Sequence, residues 1–415
     1  MSAGAFAYRE GHLYCDDVRL AGLAASAGTP CYVYSARAIR GNYTAYDRAF
    51  GAAPHRVCYA VKANGNLAVL KLLADAGAGF DIVSGGELFR VLRAGGGAAK
   101  VVFSGVGKTA EEIDGALGAG IHSFNCESAG ELESISTIAG RRGVRVRVAL
   151  RVNPDVDAAT HPYISTGLRE HKFGVNVAEA EGVYESASKL PGLSLEGVSC
   201  HIGSQLLDPR PILDAMDRML QLTARLRARG FPIRTLDVGG GLGTAYLRGE
   251  AAPDIAEFVR AVCDAAAGHG LEILIEPGRS IVAAAGVLLT RVLYRKRNGG
   301  KEFAIVDAAM NDLIRPALYR AHHEILAVEP NERTIQADVV GPICETGDFF
   351  ARSREIPDAG PGDLLAIGMA GAYGFAQSSN YNARPRAAEA MVEGAAWRIV
   401  RRRESLEDLV RGETV

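Results

Sequence analysis

The segment VCYAVKAN, residues 57–64, is an apolar run that ends around Lys62. It is the first of eight short runs rich in β-branched or aromatic residues, each of which ends in polar or glycine residues. The other seven are FDIVS (80–84), VVFSG (101–105), SFNCE (123–127), RVALRVNP (147–154), GVSCHIGS (197–204), TLDVGGG (235–241) and EILIEPGR (272–279). Helix-periodic segments that close on glycine lie between them, such as LAVLKLLADAG and GELFRVLRAGG. Eight strand–helix units over about 250 residues predict a (β/α)8 TIM barrel rather than an open sheet.

After about residue 281 the predicted secondary structure changes, because strand-like runs follow one another with no long helical pattern between them. VLLTRVLYRKRNGGKEFAIVDA (287–308) predicts two strands around a Gly-Gly turn, and RTIQADVV, DLLAIGMAG and MVEGAAWRIVRRR are further strand candidates. HLYCDDVRL (12–20) also has strand character. We therefore predict an α/β chain with three parts. They are an N-terminal segment (1–30) that packs with the C-terminal domain, a barrel (31–280), and an antiparallel β-barrel or sandwich domain (281–415).

Composition and charge narrow the function classes. The chain is 48% hydrophobic and 23% charged with a formal net charge of −2, which gives no reason to expect a nucleic acid or an anionic membrane as partner. There is no apolar run of membrane-spanning length, and the first residues lack a signal-peptide pattern. The seven scattered cysteines contain no C-x-x-C pair, so neither a disulfide framework nor a metal site is predicted. We expect a cytoplasmic location, with six of the cysteines as buried small residues.

Lys62 is the first candidate for chemistry, because the C-terminal ends of barrel strands build active sites. The chain has eight Lys among 46 basic residues, so a Lys within an apolar strand is notable. Desolvation disfavours the charged amine and makes it a competent imine-forming nucleophile. Taken alone, Lys62 is equally compatible with a lysine at the rim of the barrel whose aliphatic chain packs on the protein and whose amine reaches solvent.

Two glycine-bearing strand ends predict a phosphate site. GGGLG (239–243) lets the backbone approach a ligand closely, and EPGR (276–279) adds further donors and a carboxylate; Ser204 is a third candidate. Neither segment matches the dinucleotide fingerprint, and GVGKT (105–109) fails as a P-loop because Val102 stands where glycine is required. The alternative reading of a glycine triplet is a tight turn.

Glu276 and His201 suit a pyridine cofactor. A carboxylate against the ring nitrogen of pyridoxal phosphate keeps that nitrogen protonated and the ring a strong electron sink. His201, in CHIGSQ, could lie flat against the ring; a hydrogen-bonded core histidine is the alternative.

The C-terminal region contributes two further pairs of candidate site residues. In GPICETGD (341–348), Cys344 is a candidate acid beside Glu345. In NDLIRPALYR, Arg315 and Tyr319 lie four apart and share a face if helical, which suits a distal carboxylate; a surface Arg with a half-buried Tyr is the alternative. His322 and His323 are expected at the solvated end of that segment.

Together these segments resemble the diaminopimelate decarboxylase family of alanine-racemase-like pyridoxal-phosphate enzymes, over nearly the whole chain. The resemblance rests on YAVKAN, DIVSGGEL, HPYISTGLREHKFGV, CHIGSQ, LDVGGGLG, EPGR, VDAAMNDLIRPALY, GPICETGD and GAYGFAQSSNYNARPR. Ser199 departs from the family, in which His or Asp is frequent at that position, and local hydrogen bonding there is expected to differ.

The resemblance implies pyridoxal 5'-phosphate as cofactor and decarboxylation of meso-2,6-diaminopimelate at its D-centre to L-lysine and CO2. It implies that Lys62 carries the cofactor, that Cys344 is the proton donor, and that Cys344 and Glu345 act in the partner subunit's active site, hence a homodimer. The cofactor-binding residues it implies are Lys62, Asp81, His201, Ser204, Gly239, Gly240, Gly241, Glu276, Pro277, Gly278, Arg279 and Tyr373. The substrate-binding residues it implies are Arg279, Arg315, Tyr319, Glu345 and Tyr373.

Three alternatives stand beside this function. One is a related decarboxylase for another amino acid or a polyamine precursor, against which the Arg315–Tyr319 pair argues. Another is an alanine racemase, against which Glu276 argues because racemases need a weak electron sink. The third is a non-catalytic cofactor-binding relative, which would be expected to lack Cys344 or the β domain.

Overall fold

The computed structural model of this chain describes residues 5–156 and 172–415, so the HPYISTG motif (161–167) lies outside the described residues. The chain divides into two units. The barrel unit comprises Asn42–Thr244 and Ala251–Gly278. The β unit comprises the N-terminal segment up to Gly41, the short insertion Ala245–Glu250, and Arg279–Val415.

The barrel unit is built on eight parallel strands in a closed ring. Each strand pairs with the next along the chain, and the last pairs with the first, with Ile275 opposite Val57. The strands are His55–Ala60, Gly79–Ile82, Val101–Phe103, Ser123–Cys126, Val146–Asn153, Leu193–Ser199, Thr235–Asp237 and Glu272–Ile275. These are the eight segments predicted from the sequence, and the (β/α)8 barrel is confirmed. A two-residue strand, Val175–Asn176, extends the ring beside the fifth strand.

Helices follow the first seven barrel strands. They are Leu67–Asp75, Gly85–Arg93, Ala110–Ala119, Ala129–Arg142, Val177–Ala187, Arg210–Ala228 and Ile255–Ala266, and Ala36–Phe50 precedes the first strand. Four of them begin with a Ser, Thr or Asp cap whose side chain accepts a hydrogen bond from the backbone N–H of a Glu three residues later; the caps are Ser84, Thr109, Ser128 and Asp254. These caps satisfy the first-turn N–H groups and fix where each helix starts after its strand.

The β unit contains a mixed sheet. Its strands are Cys31–Ser35, Gly286–Asn298, Lys301–Val306, Ile325–Ala327, Thr334–Val340, Phe349–Pro357, Leu364–Ile367, Ala388–Glu393 and Ala396–Arg401. Most pairs are antiparallel, as predicted, including the hairpin around Gly299 and Gly300, whose positive φ angles (+55° and +82°) suit the turn. Two pairs are parallel: Lys301–Val306 with Thr334–Val340, and Cys31–Ser35 with Ala388–Glu393. Long connections separate the strands of both parallel pairs, as a parallel return requires.

CYVYS (31–35), at the start of the range predicted above for the barrel (31–280), is instead a central strand of this sheet. All five of its residues are buried, and the main hydrophobic cluster of the β unit includes Cys31 and Val33. The N-terminal strands Phe6–Arg9, His12–Cys15 and Val18–Arg19 form a small antiparallel sheet that contributes Leu13 and Cys15 to the same cluster.

The remaining elements are short. The helices are Leu20–Ala27, Arg279–Val282, Arg315–Tyr319 and Leu406–Leu409, and the 3-10 turns are Val61–Ala63, Ala98–Lys100, Phe375–Gln377 and Tyr381–Ala383. Within residues 5–156 and 172–415, no helix has both the length and the apolar character needed to cross a membrane. All seven cysteines are free thiols; five are buried, Cys263 is half-buried and Cys344 is exposed.

Candidate active site

Lys62 lies in the 3-10 turn that directly follows the first barrel strand. Its Nζ donates a hydrogen bond of 2.8 Å to Oδ2 of Asp81, on the second strand, and the Asp81 side chain is fully buried. The sequence predicted apolar surroundings for this amine, whereas the structure gives it a carboxylate partner. The other carboxylate oxygen, Oδ1, is buried without a hydrogen bond to any described residue. Asp81 therefore orients Lys62 and retains an acceptor for a further donor.

Two buried acids meet at the ends of the seventh and eighth strands. Asp237 and Glu276 hydrogen-bond to one another, and Asn125 Nδ2 donates to both, at 2.9 Å and 3.2 Å. Burial, and next the negative charge of Asp237, raise the pKa of Glu276 well above its usual value. Burial also raises the pKa of Asp237, so the pair retains a proton. Neither Asp237 nor Asn125 was singled out from the sequence, although both lie at predicted strand ends.

His201 is neutral in this arrangement. Its Nδ1 accepts a hydrogen bond of 3.1 Å from the backbone N–H of Gly240, which places the ring proton on Nε2. Burial, and then the positive charges of Arg151 and Lys62, lower the pKa of His201 well below its usual value. A neutral ring held by the glycine triplet is the form expected for stacking on an aromatic cofactor.

Packing explains the glycine triplet. A Cβ at Gly239 would lie 2.5 Å from the carbonyl oxygen of Cys200, and one at Gly240 would overlap that of Glu276. The sequence predicted that these backbone N–H groups bind phosphate, but those of Gly239 and Gly240 already donate within the chain, to Asp237 Oδ1 and His201 Nδ1. The Gly241 N–H donates to no described residue. It is the triplet's remaining donor for a phosphate oxygen.

The turn after the eighth strand packs on the segment that carries the lysine. The backbone N–H of Ala60 donates to the Pro277 carbonyl at 3.1 Å, and a Cβ at Gly278 would lie 3.0 Å from the Ala63 Cβ. Only glycine permits so close an approach. Ser204 is half-buried in the loop after the sixth strand.

A cluster of arginine and tyrosine side chains occupies the β unit. Arg279 and Arg315 are each 6% exposed. Arg279 Nη1 donates to the hydroxyl of Tyr246 at 2.9 Å, and the Arg279 guanidinium lies 4.8 Å from the Tyr373 ring centre. The Arg315 guanidinium lies 5.1 Å and 5.8 Å from the rings of Tyr246 and Tyr319. The helix Arg315–Tyr319 thus puts these two residues on one face, as predicted, and the surface-arginine alternative is wrong.

The two guanidiniums of this cluster repel one another. Burial, and then the charge of Arg279 among the neighbouring groups, lowers the pKa of Arg315. In the part of the chain that the structure describes, the groups around Arg315 are tyrosines, Arg279 and His323, and no carboxylate forms an ion pair with it. A buried cation without a counter-ion is costly, so the cluster is suited to an incoming anion. Tyr246 comes from the loop after the seventh strand, where no motif marked it.

His323 contradicts its sequence-based prediction. It is 0% exposed rather than solvated, whereas His322 is half-buried. Arg320 adopts a left-handed backbone conformation (φ +53°) at the end of the short helix and turns the chain back, which buries His323. Its Nε2 accepts a hydrogen bond of 3.3 Å from Arg315 Nε–H.

Cys344 and Glu345 lie on an exposed turn whose backbone is held firmly. The Cys344 N–H donates to Asn382 Oδ1 at 2.8 Å. The buried Asp348 accepts from the N–H groups of Ile343 and Met310, both at 2.7 Å. Asp348 therefore ties the cysteine turn to the segment that precedes Arg315.

The predicted residues fall into two groups. The barrel unit holds Lys62, Asp81, His201, Ser204, Gly239, Gly240, Gly241, Glu276, Pro277 and Gly278, and the β unit holds Arg279, Arg315, Tyr319, Cys344, Glu345 and Tyr373. Within the described ranges, no group of three His, Cys, Asp or Glu side chains is arranged to hold a metal ion.

Comparison with known proteins gives a consistent result. Residues 36–283 match the family model described as pyridoxal-dependent decarboxylase, pyridoxal binding domain. The chain is 56% identical to the diaminopimelate decarboxylase of Pseudomonas aeruginosa over 411 residues, covering 99% of both chains. It is 52% identical to that of Vibrio cholerae, again over 99% of both.

Solved structures give the same picture. Diaminopimelate decarboxylase from M. jannaschii in complex with L-lysine superimposes with a TM-score of 0.94 at 36% identity, covering 99% of this chain and 98% of that one. The Helicobacter pylori enzyme complexed with L-lysine gives a TM-score of 0.91 at 45% identity, covering 94% and 98%. The chain belongs to the pyridoxal-dependent decarboxylases, and the four relatives described above, at 36–56% identity, are named diaminopimelate decarboxylase.

Proposed function

We propose that this chain removes the carboxylate at the D-centre of meso-2,6-diaminopimelate and releases CO2 and L-lysine. The observation that carries the substrate assignment is the buried pair Arg279 and Arg315 among tyrosine rings. This pair calls for a carboxylate that does not react. Diaminopimelate has such a carboxylate at its L-centre, whereas lysine, ornithine and other simple diamino acids lack a second one. The names of the full-length relatives support the same substrate.

The barrel residues fit pyridoxal phosphate. Lys62 would hold it covalently, the unpaired Oδ1 of Asp81 and the Gly241 N–H would bind its polar groups, and Ser204 and Tyr373 would bind the phosphate. When bound, pyridoxal phosphate supplies the electron sink for the pair that stays on Cα as CO2 leaves. Glu276 would lie against the ring nitrogen and keep it protonated, and Asn125 fixes the orientation of the Glu276 carboxyl group.

The β unit recognises the far end of the substrate. The guanidiniums of Arg279 and Arg315 bind the distal carboxylate, and the tyrosine hydroxyls of Tyr319 and Tyr373 add hydrogen bonds. Glu345 binds the distal ammonium. A site built to pair a charged group strongly rejects an analogue that lacks it, because its own buried charges are then left unpaired.

Cys344 donates the proton to Cα after CO2 has left. Its Sγ lies on an exposed turn, and this exposure supports action in a neighbouring subunit of a homodimer. Mixing two inactive variants, Lys62→Ala and Cys344→Ala, tests the arrangement. Random exchange between shared-site dimers restores about a quarter of the wild-type activity, whereas sites confined to one subunit restore none.

The alternatives receive less support. The buried acid pair Asp237–Glu276 favours a strong electron sink and disfavours a racemase. The arginine pair disfavours polyamine precursors. A cytoplasmic location stays a prediction.

A panel of candidate substrates tests the proposed function. Purified protein loaded with pyridoxal phosphate is assayed for CO2 from the meso and L,L isomers of diaminopimelate and from L-lysine, L-ornithine and L-arginine. We expect CO2 and L-lysine in equal amounts from the meso isomer, and no turnover of the L,L isomer, which has no D-centre. Preferred turnover of ornithine, arginine or lysine would reject the assignment.

A further inference from the structure

His323 contacts Arg315 through one particular donor. Its Nδ1 lies 2.8 Å from the Gly368 carbonyl oxygen, which can only accept, so Nδ1 carries the ring proton. Nε2 is then a lone-pair acceptor, and Arg315 Nε–H donates to it at 3.3 Å. The ring also packs edge-on against Tyr246, with centres 5.5 Å apart. Three contacts therefore fix both the tautomer and the orientation of the imidazole.

The hydrogen bond from Arg315 Nε–H to His323 determines which edge of the Arg315 guanidinium is available to a carboxylate. A guanidinium binds a carboxylate in bidentate fashion either through Nε and one Nη or through the two Nη groups. Because His323 occupies Nε–H, Arg315 has the Nη1–Nη2 edge for a bidentate partner. The positions of the Tyr246 and Tyr319 rings restrict the plane of the same guanidinium.

The charge of the group that accepts a hydrogen bond from Arg315 Nε–H matters as much as its position. A carboxylate at this place would neutralise Arg315 and compete with the substrate. Burial, and then the charge of Arg315, lower the pKa of His323 to about 3, so the imidazole is uncharged at neutral pH. The arginine is thus positioned by an acceptor that leaves its charge uncompensated.

We propose that His323 is a positioning residue for substrate recognition, which presents the Nη1–Nη2 edge of Arg315 to the distal carboxylate of diaminopimelate. This inference rests on the proposed function, in which Arg315 binds that carboxylate.

Two uncharged substitutions separate the two hydrogen bonds of His323. The amide of Gln reaches the place of Nε2, so His323→Gln retains an acceptor for Arg315. The shorter amide of Asn reaches the place of Nδ1, so His323→Asn retains the bond to Gly368 and loses the one to Arg315. His322→Asn is the matched control, because this half-buried neighbour makes no hydrogen bond to a described residue.

Steady-state kinetics of the holoenzymes with meso-diaminopimelate decide the proposal. We expect His323→Asn to raise KM about ten-fold or more, as for a lost hydrogen bond to a charged group, with kcat little changed. His323→Gln should stay within about three-fold of wild type, and His322→Asn should match wild type. Equal KM values for the Gln and Asn variants would overturn the inference. A purely structural role of His323 gives no reason for the Asn variant to have a higher KM than the Gln variant.

Inhibition by two ligands gives a second measurement. L-lysine retains the carboxylate that Arg315 is proposed to bind, and cadaverine lacks it. His323→Asn should weaken inhibition by L-lysine about ten-fold and leave that by cadaverine unchanged; equal weakening of both would contradict the inference. Arg315→Ala is measured in parallel. If Arg315→Ala leaves the KM for diaminopimelate unchanged, the proposed function of this cluster fails; if Arg315→Ala raises KM but His323→Asn does not, only the role of His323 fails.

Discussion

Replacement of Arg315 by Ala tests how the substrate is recognised. Arg315 is 6% exposed and has no carboxylate partner among the described residues, so a carboxylate bound there is largely desolvated. Truncating one member of such a charge pair costs about 2–5 kcal/mol, which corresponds to a fall in kcat/KM of about thirty-fold to several thousand-fold. Because Arg279 remains nearby and retains part of the attraction, we expect the lower half of that range.

Arg315→Lys separates charge from geometry. Lysine retains a positive charge but loses the planar fork and the Nε–H that donates to His323. We expect kcat/KM for meso-diaminopimelate to lie between those of the wild type and the Ala variant, about ten-fold or more below the wild type.

The assay compares two substrates. D-lysine has the same reacting centre as meso-diaminopimelate but only an ammonium group at its far end. Arg315→Ala should lower kcat/KM for diaminopimelate and leave that for D-lysine nearly unchanged, with the visible absorption of the lysine-bound cofactor retained. Unchanged kcat/KM for diaminopimelate, or an equal fall for both substrates, would refute the assignment.

Three further substitutions test separate parts of the structure. Gly240→Ala should lower the thermal midpoint and abolish cofactor retention, because its Cβ would overlap the Glu276 carbonyl oxygen; Gly182→Ala, in open space on a helix, should not. Asp312 is buried with its pKa raised to about 7, so the folded state retains a proton that the unfolded chain has lost, and stability falls as pH rises from about 4 to about 7. Asp312→Asn should remove about 2 kcal/mol of that loss between pH 5 and 7 in urea titrations, and an unchanged pH dependence would exclude this origin. Asp348→Ala leaves two buried N–H groups without acceptors and should lower kcat about ten-fold with a smaller change in KM; the reverse split would argue against a role in holding the cysteine turn.

The barrel was predictable from the sequence because its signals are local. Each strand is a short apolar run, and glycines and helix caps such as Ser84 and Thr109 mark the connections. CYVYS carries the same local signal but joins the sheet of the β unit. Its partners, Gly286–Asn298 and Ala388–Glu393, lie hundreds of residues away, and no local pattern specifies such a pairing.

The site was only partly predictable, because local patterns mark some of its residues and only tertiary contacts place the others. Lys62 and Glu276 follow strands whose ends converge in any such barrel. His323 stands beside another histidine after a short helix and resembles a solvated end; its burial depends on the reversal at Arg320 and on contact with Arg315. Tyr246 lies in a loop without a motif, and its position between two arginines is a tertiary property.

Reduction of the cofactor-loaded protein with borohydride, followed by peptide mapping, tests most directly whether Lys62 carries pyridoxal phosphate. The reduction makes the link between lysine and cofactor permanent. We predict a single pyridoxyl label, on the peptide that contains Lys62, and no label in the Lys62→Ala variant. A label on any of the other seven lysines, or retention of the label in Lys62→Ala, would contradict the assignment of Lys62 as the cofactor-binding residue.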